Sequence, residues 1–75
     1  MIRFDLAEEC EASLRIYDLG GRLVRSLVTG KLPAGRRSVT WDGRDGRGYR
    51  VASGVYLYQL EAGAFRATRK LVVVK

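Results

Sequence analysis

Ser13-Leu14-Arg15-Ile16-Tyr17-Asp18 alternates apolar and polar side chains. A period of two puts Leu14 and Ile16 on one face and Arg15 and Tyr17 on the other, the pattern of a strand with one side buried. Val39-Thr40-Trp41-Asp42 repeats it, and so does Tyr56-Leu57-Tyr58-Gln59-Leu60-Glu61, where Tyr56, Tyr58 and Leu60 share a face. The final stretch, Phe65 to Lys75, begins with the same alternation and ends in the run Leu71-Val72-Val73-Val74. An unbroken aliphatic run predicts a strand covered on both sides or held against another surface.

The connections between these runs carry turn chemistry. Asp18-Leu19-Gly20-Gly21 and Glu61-Ala62-Gly63-Ala64 are short and Gly-bearing, and Leu32-Pro33-Ala34-Gly35 offers a fixed φ followed by a free one. Asp42-Gly43 and Asp45-Gly46 mark the longest loop, which runs to Ser53-Gly54. Leu23, Val24, Leu27 and Val28 match helical spacing, but flanking glycines and paired valines favour a bulged strand. The reading is therefore strands near 2–6, 12–18, 22–28, 36–42, 54–61 and 65–74, with a short one at 49–51. That makes an all-β fold, a small antiparallel immunoglobulin-like β-sandwich of six or seven strands forming one domain over residues 1–75. Its expected core is Phe4, Leu6, Leu14, Ile16, Val24, Leu27, Val39, Trp41, Tyr56, Tyr58, Leu60, Leu71 and Val73.

Length and composition limit the chemistry. Seventy-five residues support one small core, and 47% apolar with 29% charged residues is a globular balance rather than a disordered one. Leu71 to Val74 is far short of the ~20 apolar residues that span a bilayer. Met1-Ile2-Arg3-Phe4-Asp5 lacks the basic and then apolar segments of a signal peptide, so the chain is read as cytoplasmic or as a piece of a longer protein. There is no His to activate Ser13, Ser26, Ser38 or Ser53, and Cys10 stands alone, without a partner for a disulfide or a thiolate metal site. No catalytic residue, metal ligand, cofactor or small-molecule substrate is expected.

Two sharper readings of the long loop give way to plainer ones. A calcium site at Asp42-Gly43-Arg44-Asp45-Gly46-Arg47-Gly48 has two carboxylates and two opposing cations, so both Asp residues are read as acceptors for backbone N–H groups in Asx turns. Arg44, Arg47 and Arg50 beside Tyr49 are read as a solvated face rather than as phosphate contacts. The net charge of +6 conceals a division, with −3 over residues 1–21 and +9 over residues 22–75. A basic surface attracts nucleic acid, anionic lipid or an acidic protein, and composition alone does not choose.

Several strings together resemble a known family: Ile16-Tyr17-Asp18, Gly21-Arg22-Leu23-Val24, Leu32-Pro33-Ala34-Gly35, Trp41-Asp42-Gly43-Arg44-Asp45, Ser53-Gly54-Val55-Tyr56 and Arg69-Lys70-Leu71-Val72. In this order over residues 2–75 they are similar to the FlgD-type immunoglobulin-like domain, which in turn resembles the C-terminal sorting domains of the type IX secretion system. The resemblance implies a noncatalytic domain at the end of a longer secreted parent, targeting or presenting it at the bacterial cell surface. It also implies the candidate recognition residues, Gly54 and Tyr56 of a Gly-x-Tyr motif and Lys70 and Lys75 bounding a basic-apolar-basic terminus. The implied partners are proteins, either secretion machinery or further copies of the chain, rather than nucleic acid. Two features depart from the family pattern: an Asn-Pro-rich lead-in is missing, as in a trimmed piece, and Ala7 stands where Pro is usual. The alternative the resemblance offers is a structural assembly module, as in flagellar hook capping.

Overall fold

A computed structural model describes residues 2–74. Its six strands are β1 (Ile2–Leu6), β2 (Cys10–Tyr17), β3 (Leu23–Leu32), β4 (Gly35–Val39), β5 (Gly54–Ala62) and β6 (Phe65–Val73). All pair antiparallel, β1 with β4 in one sheet and β3-β2-β5-β6 in the other. The all-β, sandwich-like arrangement expected from the period of two is the one found.

The alternation in β2 organises the core. Leu14 and Ile16 are wholly inaccessible, and Leu14 lies beside Leu60, Ile16 beside Tyr58 and Ala12 beside Ala62 on β5. Ile2 from the small sheet joins Leu14, Ile16 and Leu60, while Leu6 forms a second cluster with Ala12 and Ala62. Phe4, Val24, Leu27, Val39, Trp41, Tyr56, Tyr58 and Leu71 pack around the first cluster as half-buried residues, and Val73 is half-buried too. Ile2, Ala12 and Ala62 were not among the expected core residues. Small or terminal apolar residues carry a weak periodic signal and become buried only because the two sheets close over them.

The helical spacing of residues 23–28 has a simple cause. Leu14 pairs with Val28 and Arg15 with Ser26, so Leu27 is an extra residue; Ile16 pairs with Arg25 and Tyr17 with Leu23, so Val24 is another. Each bulge shifts the phase of the strand, letting Val24, Leu27 and Val28 all pack on the core, which a strict alternation forbids.

Three expectations change in detail. β4 ends at Val39, so Trp41 and Asp42 lie in the loop, and Trp41 is half-buried rather than a fully enclosed anchor. The short strand at 49–51 reduces to one bridge between Arg44 and Arg50. The run Leu71–Val74 is not covered on both sides: Val72 and Val74 are 66% and 83% exposed, because β6 is an edge strand with one sheet face open to solvent.

Candidate functional site

The long loop after β4 is self-satisfied and tied to β3. One Asp42 carboxylate oxygen accepts the Arg44 N–H at 3.0 Å, and Asp45 accepts the Arg47 and Tyr49 N–H groups at 2.9 and 3.0 Å. These are the expected Asx turns, with Gly43 and Gly48 at φ 75° and 89°. Arg25 reaches over from β3 to donate to the same Asp42 oxygen at 2.7 Å, and the Trp41 indole N–H donates to the Arg44 carbonyl at 2.9 Å. The Gly46 N–H adds a 3.0 Å bond to the Val24 carbonyl at the bulge. Arg44 directs its guanidinium to the Gly48 carbonyl at 3.0 Å, so of the three loop arginines it is already engaged within the loop.

Nothing in the sequence pointed to Arg25 as the clamp, since it lies 17 residues from Asp42 and meets it only through the register of β3. Partial desolvation pushes the Asp42 carboxyl up, but the Arg44 N–H and the Arg25 guanidinium together outweigh it and hold the group below its ordinary 3.8. A lowered carboxylate stabilises the fold above its unfolded-state value and ceases to do so as pH falls through the folded one. Stability from this contact is therefore fully present above pH 3.8 and lost progressively as pH falls from there through the lower folded-state value. Asp42→Asn is expected to narrow the gap between urea midpoints at pH 7 and pH 3, followed by Trp41 emission. An unchanged gap would show that the ionised contact contributes nothing.

The Gly-x-Tyr motif has a structural role. Gly54 opens β5 at φ 155°, a torsion that side chains rarely adopt, and a Cβ there would meet nothing within 4 Å, so the torsion and not crowding calls for glycine. Two residues on, the Tyr56 hydroxyl donates to the Ala52 carbonyl at 2.7 Å. Its ring meets Trp41 edge to face, with centroids 5.5 Å apart at 72°. Tyr56 thereby ties the end of the loop to the core.

Gly54, Tyr56 and Lys70 come to one end of the β5–β6 hairpin, where Gly54 pairs with Val73, Tyr56 with Leu71 and Leu57 with Lys70. They do not converge on one surface. Strand alternation turns Tyr56 toward the core and the exposed Lys70 to the outer face of the sheet. Lys75 lies outside the described residues.

The same register assembles a surface that the sequence reading left unmarked. Leu23, Tyr17, Leu57 and Lys70 form one row across the outer face of the four-stranded sheet, and Val55 and Val72 form a neighbouring pair. Leu23 is 57% exposed and Val55 38%. The signal was present as apolar and aromatic residues on the polar phase of four strands, but their adjacency needs the strand order.

The FlgD Ig-like domain family model matches residues 1–64, so the match ends at the β5–β6 turn and leaves β6 outside it, short of the span to residue 75 that the motifs suggested. No curated protein matches the chain at a significant level. Taken with the all-β sandwich-like fold and the loop that joins Trp41 to Tyr56, the match over most of its length establishes that this chain belongs to the family of FlgD Ig-like domains.

Proposed function

We propose that the domain is a noncatalytic protein–protein assembly module that binds through the outer face of its four-stranded sheet. The observation that supports this most directly is the apolar group on a domain of net charge +6 in which Leu23, Val55 and Val72 are exposed beside the half-buried Tyr17 and Leu57. Apolar side chains gathered on a sheet face favour burial against another protein, whereas scattered ones need no partner. Family membership supports the same reading, since these are structural Ig-like domains. The test is site-specific photo-crosslinking in the native host from Leu23 and Val72, with exposed Arg36 on β4 as control. A defined protein adduct from the first two and none from Arg36 is expected; no adduct from either Leu23 or Val72 overturns the reading.

A second reading is display of a longer secreted parent at the bacterial cell surface, with Lys70 contacted by transport machinery. Its support is the exposure of Lys70 on β6 and the presence of Gly54-Val55-Tyr56 beside it. In that reading Gly54 and Tyr56 act by holding the hairpin, and the terminal cations are what a partner reads.

A further inference from the structure

The four edges of the two sheets are unequal. β1 and β4 are five residues each, and β3 carries two bulges that break its outer row of backbone groups. β6 runs nine residues in continuous register with β5, and its other side pairs with no strand among the described residues. The two-residue turn Gly63–Ala64 makes Ala62 and Phe65 a hydrogen-bonded pair, and antiparallel alternation then turns the odd-numbered N–H and C=O groups of β6 toward β5. Those of Arg66, Thr68, Lys70 and Val72 point outward at the free edge.

We propose that β6 adds an extended acidic segment of a partner protein as a fifth strand of this sheet, which specifies the partner within the assembly reading above and rests on it. Arg66, Arg69 and Lys70 give β6 three cations and no acid, and Arg66 has a distant partner in Glu61 at 3.7 Å, whereas Arg69 and Lys70 form no ion pair among the described residues. A strand laid beside β6 must place something opposite these groups, and carboxylates there convert repulsion to attraction. The same cations disfavour a second copy of the chain. The register that pairs the whole of β6 with another β6 sets Arg69 directly against its own counterpart, between domains that each carry +6. Cations on an edge strand thus act against self-pairing and for an acidic partner at once. The added strand lies beside Val72 and extends the apolar outer face.

Two peptides of the length of β6 test this on the intact chain, one with Glu opposite Arg66, Arg69 and Lys70 and Thr or Val elsewhere, the other with Lys for Glu. The Glu peptide is expected to bind at least about tenfold more tightly, from three cross-strand pairs of opposite rather than like charge. Amide hydrogen exchange should slow at Arg66, Thr68, Lys70 and Val72. Thr68→Pro removes one outward donor without touching the β5 ladder and should weaken binding about tenfold. Arg69→Glu with Lys70→Glu keeps the backbone and should exchange the preference in favour of the Lys peptide.

Equal binding of both peptides, protection mapped to β3 or the long loop, or no binding at millimolar peptide overturns the proposal. So does sedimentation showing a dimer that the Glu peptide does not dissociate, which assigns the edge to a second copy. Photo-crosslinks from Leu23 without any from Thr68 remove the edge assignment and leave the assembly reading standing; their absence from Leu23, Val72 and Thr68 alike removes both.

Discussion

Leu14→Ala is expected to remove a large part of the stability of the domain at 25 °C. Leu14 is wholly inaccessible, lies between Val28 and Leu60 in the sheet, and belongs to the cluster with Ile2 and Ile16. Truncating such a side chain removes its transfer free energy and leaves a cavity, together about 2–5 kcal/mol. At roughly 0.05–0.15 kcal/mol per residue, a chain of this size has a total stability on the order of 4–11 kcal/mol. One substitution therefore removes much of the margin. Urea titration followed by far-UV circular dichroism and by Trp41 emission should show a large fall in midpoint, with both probes moving together. A change under about 1 kcal/mol would mean that the core does not lie on the inner face of β2.

The second large effect is expected from removal of residues 70–75, and its size governs how export experiments are read. Deletion takes away Leu71, which packs on the core and pairs with Tyr56, and leaves the start of β5 without a neighbour on that side. Full burial of a leucine is worth about 1.5–3 kcal/mol, of which the half-buried Leu71 supplies a part, and the cross-strand pairs along residues 54–57 go with it. The contact between Tyr56 and Trp41 then loses its support, so near-UV circular dichroism should weaken and thermal unfolding should broaden. A native near-UV spectrum with an unshifted midpoint would show that this part of β6 is dispensable.

Because the deletion is expected to damage the fold itself, loss of export after it does not identify a signal. Lys70→Ala is the informative change. Its side chain is exposed, and such substitutions stay within about ±0.5 kcal/mol. If transport machinery reads Lys70, a reporter fused to the folded Lys70→Ala variant should fail to reach the surface of a type IX-competent host. Display equal to that of the parent sequence removes Lys70 from the sorting reading.

Strand identity, turn positions and much of the core were legible along the chain. Alternation at Leu14 and Ile16, glycine at the turns and valines around residues 24–28 are local signals, and local sterics set them without reference to distant residues. Even the bulged strand was readable, since paired valines at helical spacing between glycines have few other solutions. The sequence by itself thus determined an all-β domain, its hairpins and its two wholly inaccessible residues, Leu14 and Ile16.

Tertiary structure decided which strands are neighbours, and with that everything that depends on adjacency. Arg25 meets Asp42, 17 residues away in the chain, only through the register of β3. Leu23, Tyr17, Leu57, Val55 and Val72 form one surface only because β2 and β5 sit side by side. The run Leu71–Val74 read in the sequence as covered on both sides or held against another surface, yet Val72 and Val74 stand in solvent because β6 ends the sheet. Period along a strand records which face a side chain takes, since that is fixed by its own backbone. Strand order, edges and cross-strand partners arise from contacts between segments far apart in the chain, and no local pattern carries them.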